Sequence, residues 1–116
     1  MESTTIVCAH ILQKHTLSRN PFDSFRNKKI TRSQEEALKN IEDIRNLIVE
    51  EGLHRFGDYA LEYSECRSAG NSGSLGEFGR GEMQKEFEDV AFSLEVNELS
   101  LPVSSDSGIH IILRLA

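Results

Sequence analysis

Four side chains able to move protons, attack carbonyls or hold strong hydrogen bonds sit in apolar or glycine-bounded stretches: His10, Cys66, Ser107 and His110. His10 lies inside TIVCAHILQK (Thr5–Lys14), on the parity of Ile6, Cys8 and Leu12. His110 lies inside the terminal run IHIILRL. A protonated imidazole in such a run is costly, so each histidine is expected to stay neutral and hydrogen-bonded. Taken singly, each also fits a satisfied core histidine. If the first and last apolar runs are neighbouring strands, the two rings could face each other. Three kinds of chemistry compete. A cysteine hydrolase needs its thiol at a helix N-terminus or beside a cation. Cys66 instead follows a predicted helix C-terminus and is preceded by Glu65, although Arg67 follows. A metal site is disfavoured because no Cys or His pair has the short spacing of zinc ligands. An isomerase needs no such signature, and residue patterns alone are silent on it.

The elements that must position these residues are legible. Thr5–Lys14 has apolar residues on both parities, the pattern of a strand covered on both faces. Residues 15–30 have no sustained period and read as a long basic loop. Residues 31–51 form the clearest helix. Ser33 and Glu36 make a capping box, and Ala37, Ile41, Ile44 and Ile48 make an apolar stripe. Phe56, Tyr59, Ala60 and Tyr63 predict a second, shorter helix. Residues 68–76 are Gly/Ser-rich and read as a loop, with a short strand over 74–78. A third helix is expected over 84–94, and residues 100–104 and 109–115 read as a hairpin around Asp106-Ser107-Gly108. This order implies an α+β domain with helices on the outer surfaces of the sheet.

The 116 residues suit one domain, 1–116. The start, Met1-Glu2-Ser3-Thr4-Thr5, is polar and unlike a secretory signal. No apolar run approaches the ~20 residues that span a bilayer. With two distant cysteines, the expectation is a cytoplasmic chain with free thiols, reaching the nucleus by diffusion, without membrane association, and monomeric. The net charge of −6 is uneven. Residues 14–32 carry six bases and one acid, a local +5, and residues 33–116 carry −10. A basic island suggests a local anionic partner, and the acidic remainder argues against nucleic acid.

Several separated blocks carry a family resemblance: CAHIL near the start, ITRSQEEA at the predicted helix, GEFGRGEM and FEDVAFSL, then SGIHIIL. Together they closely resemble the parvulin peptidyl-prolyl cis/trans isomerases, in particular the phosphorylation-specific eukaryotic members. The WW module that many of these carry is not visible, since the chain has no Trp. The resemblance implies a small four-stranded antiparallel or mixed sheet surrounded by about four helices. It also implies an isomerase acting on phosphoSer/phosphoThr-Pro bonds in proteins or peptides. His10 and His110 would be the paired active-site histidines, with Cys66 and Ser107 completing their polar network. Leu75, Met83 and Phe87 would hold the proline ring, Gln84 would contact substrate backbone, and Lys14 and Arg19 would bind the phosphate. Neither metal nor organic cofactor is implied. Two departures stand out. Asn20 replaces the second of two adjacent arginines, removing one guanidinium fork. Glu86 stands where proline is common.

Overall fold

The computed structural model describes residues 4–116, so the polar start 1–3 lies outside the described residues. Its centre is β1 (Thr5–Gln13), with β6 (Gly108–Arg114) on one side and β4 (Ser74–Gly79) on the other. β5 (Val103–Ser105) completes the order β4-β1-β6-β5, and every pairing is antiparallel. Between them in sequence come a small hairpin of β2 (Phe22–Asp23) and β3 (Lys28–Lys29), then α1 (Gln34–Glu51) and α2 (Phe56–Tyr63). α3 (Lys85–Ser93) follows β4.

The apolar double parity of β1 is explained by two cores. One face carries Ala9 and Ile11, with Ile109, Ile111 and Leu113 of β6, packed against Ala37, Ile41, Ile44 and Ile48 of α1 and Phe56, Tyr59 and Ala60 of α2. The opposite face carries Ile6, Cys8 and Ile112, with Phe78, against Phe87 and Ala91 of α3. Burial at ~25 cal/mol per Å² of apolar surface drives both contacts. α1 begins where the sequence places it. The Ser33 hydroxyl accepts from the Glu36 backbone, and the Glu36 carboxylate accepts from the Ser33 N–H.

The expected α+β architecture holds: the sheet is antiparallel, one of the two arrangements expected, and three α-helices with 3-10 turns at Leu53–Arg55 and Arg67–Asn71 surround it. Three local expectations change. The loop expected over 68–76 opens inside the 3-10 turn Arg67–Asn71. The basic segment after β1 is a braced structure. Asp23 is 1% exposed, accepts from the Phe25 and Arg26 backbone N–H groups, and pairs with the Arg26 guanidinium at 3.0 Å. Arg26 then donates to the carbonyls of Ser64 and Leu61, tying the segment to the end of α2. Finally, the strand expected at 100–104 begins at Val103. Pro102 has no N–H to donate, so the ladder restarts beyond it.

Candidate active site

The two histidines meet because β1 and β6 are adjacent. The register sets His10 opposite Ile112 and His110 opposite Leu12. The rings are therefore diagonal neighbours on the face that looks toward α3. Their Nδ1 atoms lie 2.9 Å apart, with centroids 5.1 Å apart and planes at 23°. Two N–H groups cannot point at each other at that distance, so the contact requires one Nδ1 to be unprotonated. Burial pushes both imidazoles well below their ordinary range, and the charge of His10 lowers His110 further. The resting pair is neutral, with one N–H donated between the rings. The Nε2 of His110 shares a 2.6 Å hydrogen bond with the Ser105 hydroxyl. Phe87 of α3 stands edge-on to both rings, 5.5 Å from His10 and 5.4 Å from His110.

Cys66 reaches this pair through a substitution of pairing partners along β1. The β1–β4 ladder runs from Thr5↔Gly79 to Ala9↔Ser74. Beyond it, the His10 N–H donates to the Gly73 carbonyl, and the segment after α2 takes over. The Leu12 N–H donates to the Ser64 hydroxyl, the Glu65 N–H to the Leu12 carbonyl, and the Lys14 N–H to the Glu65 carboxylate. The next residue is Cys66, extended and half-buried. Gly73 is needed for this arrangement. With φ +84°, an added Cβ would come within 2.7 Å of the His10 carbonyl.

These residues line a pocket of about 190 Å³. Its walls are Leu75 of β4, Met83 and Gln84 before α3, Phe87, Cys66, Ser105 and Ser107, with the two histidines behind them. The structure thus gathers every residue expected for the proline pocket and the histidine network. One role changes. Ser107 does not bond a histidine. It accepts from the Gln84 side-chain amide at 2.8 Å, while the Gln84 carbonyl oxygen accepts from the Asp106 N–H. Gln84 therefore clamps the β5–β6 turn to the start of α3. The hydroxyl on the imidazole pair belongs to Ser105, which sequence reasoning missed. The hairpin signal contained it: a two-residue turn, Asp106-Ser107, pairs Ser105 with Gly108 and leaves Ser105 diagonal to His110. Glu86 is exposed on the first turn of α3 and is not among the residues lining the pocket.

A second hollow, about 310 Å³, adjoins the first and shares Cys66 and Ser107 with it. Lys14, Arg19, Asn20, Ser24, Glu65 and Arg67 line the rest with Leu12. Lys14 is braced, its ammonium donating to the Phe22 carbonyl at 2.6 Å. Glu65 is neutralised by the Arg32 guanidinium at 2.6 Å. Arg19 is exposed, and its backbone N–H is fastened to the Asp106 carbonyl at 2.7 Å. Among the described residues no cluster of three His, Cys, Asp or Glu side chains is placed to hold a metal ion. Among the described residues no helix is long and apolar enough to cross a membrane.

Residues 10–116 match the domain model Rotamase, a PPIC-type PPIase domain. The peptidyl-prolyl cis-trans isomerase pin1 of Rhizopus delemar is 48% identical over 115 residues, covering 99% of this chain and 75% of that protein. The peptidyl-prolyl cis-trans isomerase pin1 of Schizosaccharomyces pombe is 47% identical, over 98% of this chain and 64% of its own length. Among solved structures, the peptidyl-prolyl isomerase ESS1 of Candida albicans superposes with a TM-score of 0.88 at 30% identity, over 97% of this chain and 63% of that one. The chain thus spans about two thirds of two of these proteins. With the domain model matched over residues 10–116 and relatives matched over nearly the whole chain, this chain belongs to the PPIC-type parvulin family of peptidyl-prolyl cis/trans isomerases.

Proposed function

We propose that this domain isomerises phosphoSer-Pro and phosphoThr-Pro bonds without forming a covalent intermediate. Peptidyl-prolyl isomerisation is the activity of its family. The direction to phosphorylated substrates rests on one observation: the apolar pocket and the basic hollow share a wall at Cys66 and Ser107. A proline ring and a phosphate on the preceding residue belong to adjacent residues, with Cα atoms about 3.8 Å apart and the phosphate held out by its own side chain. Adjoining hollows of opposite character suit that pair.

The chemistry follows from the bond. Rotation about X–Pro must cross a barrier of ~18–20 kcal/mol, although cis and trans differ by only ~0.5–1 kcal/mol. Twisting the amide breaks its resonance and leaves the prolyl nitrogen more basic. Leu75, Met83 and Phe87 hold the ring in the apolar pocket. Lys14 and Arg19 hold the phosphate and so fix the other side of the rotating bond. The neutral His10–His110 pair, Ser105 and the Cys66 thiol supply oriented polarity that need not reorganise when the carbonyl turns. Binding energy from the phosphate, remote from the reacting bond, restrains the substrate during the twist. Cys66 acts as a polar wall, not a nucleophile.

NMR exchange spectroscopy on a phosphoSer-Pro peptide and its unphosphorylated twin, at catalytic protein concentration, tests this. Exchange accelerated far more for the phosphopeptide is expected. Equal acceleration of both would leave an isomerase with no phosphate direction. Binding without acceleration would make the domain a phosphopeptide reader.

A further inference from the structure

With Asn20 in place of a second arginine the basic hollow is one guanidinium short at that position, and another residue lining the hollow carries one. Resting on the phosphate-directed reading above, we infer that Arg67 is the second guanidinium of the phosphate clamp and a determinant of selectivity for phosphorylated substrates. Arg67 opens the 3-10 turn that follows α2, directly after Cys66. It lines the same hollow as Lys14, Arg19 and Asn20. Arg19 approaches from the segment after β1, so the two forks come from different walls.

The charges facing the hollow support this assignment. Three bases line it, Lys14, Arg19 and Arg67, against one acid, Glu65. The Glu65 carboxylate is already engaged by Arg32 and by the Lys14 backbone N–H. The Lys14 ammonium is engaged by the Phe22 carbonyl. Arg67 is exposed and forms no ion pair or side-chain hydrogen bond among the described residues. All five N–H donors of its guanidinium are therefore available to an incoming dianion. A planar fork matches two phosphate oxygens, which a lone ammonium cannot do. Two forks on separate walls would grip a phosphate from two directions and restrain the residue before proline more firmly than adjacent arginines on one loop. The arrangement also explains how the chain tolerates Asn20.

The test is the ratio of kcat/KM for a phosphoSer-Pro peptide to that for its unphosphorylated twin, measured for the whole chain. Arg67→Ala is expected to lower this ratio about tenfold, the loss of one charge-assisted contact at a solvent-facing site. Adding Asn20→Arg to that variant should restore most of the ratio, because the fork returns to the same hollow. Lys39→Ala, a charge deletion on exposed α1, controls for the general field and should leave the ratio unchanged. If Lys14→Ala and Arg19→Ala collapse the ratio but Arg67→Ala does not, the Arg67 assignment is wrong and the phosphate reading stands. If none of the three moves it, the phosphate reading falls and this inference with it. A drop equal to that of Lys39→Ala, or one that Asn20→Arg fails to restore, would also overturn the assignment.

Discussion

Ser105 and the two imidazoles show how much of the site depends on single atoms. Replacing Ser105 with Ala removes the hydroxyl bonded to His110 and leaves a buried ring nitrogen without its partner. Unfolding experiments should register a loss of about 1–2 kcal/mol, and kcat/KM should fall as well. Ser105→Thr keeps the hydroxyl and should retain most of both; equal damage from the two substitutions would mean that the hydroxyl is not the relevant group. The histidines also make stability depend on pH. Burial lowers both folded-state values, so the unfolded chain binds protons first as pH falls. The contribution is fully present above about pH 6.5 and is lost on acidification. Between pH 7.5 and 5 the expected loss is about 2 kcal/mol per histidine. Chemical denaturation across that window should give a slope that flattens in the His10→Leu/His110→Leu double variant. An unchanged slope would show that other groups carry the dependence.

At the scale of elements, one turn and one brace decide whether the site residues converge. Gly108, at the start of β6, has φ +144°, and an added Cβ would meet the Gln13 carbonyl at 2.6 Å. Gly108→Ala should cost about 2–3 kcal/mol and reduce turnover, since Ser105, Ser107 and His110 all hang on this hairpin. Ser33→Ala is the contrast: loss of the α1 cap should cost about 1 kcal/mol in thermal unfolding while turnover at 25 °C persists. The brace is Asp23–Arg26. Removing the Arg26 guanidinium leaves the Asp23 carboxylate buried without its cation and frees the segment from α2. Arg26→Ala should destabilise by about 3 kcal/mol and loosen the wall that carries Lys14 and Arg19. Faster hydrogen exchange confined to residues 16–29 would identify the loss as local.

For the whole molecule, charge is segregated. The chain carries −6, yet the hollow beside the histidine-backed apolar pocket is lined by three bases and one neutralised acid. On the proposed reading, a phosphorylated substrate would be repelled by the acidic surface and drawn to this hollow. Raising ionic strength from 20 to 300 mM should lower kcat/KM for a phosphopeptide several-fold and leave an uncharged Ala-Pro peptide nearly unaffected, since the Debye length shrinks over that range. Parallel salt dependences would place the recognition elsewhere.

The sequence by itself determined where the long strands and the three α-helices lie and which of their faces are buried. A period of two and a period of 3.6 are local consequences of backbone geometry, and the Ser33–Glu36 box is local too. It also held the residues of the pocket, through blocks that resemble the family. What it could not hold were the pairings. Alternation says that His10 and His110 face one side of their strands; only register makes them diagonal neighbours 2.9 Å apart. One residue of turn geometry separates Ser105, on the imidazole, from Ser107, on Gln84. The bracing of the basic segment depends on Arg26 reaching carbonyls 35 and 38 residues away. Arg67 reads as one more surface charge until α2 and its following turn bring it to the hollow that Arg19 also lines. These contacts join groups distant along the chain, and local patterns carry no information about which distant groups will meet.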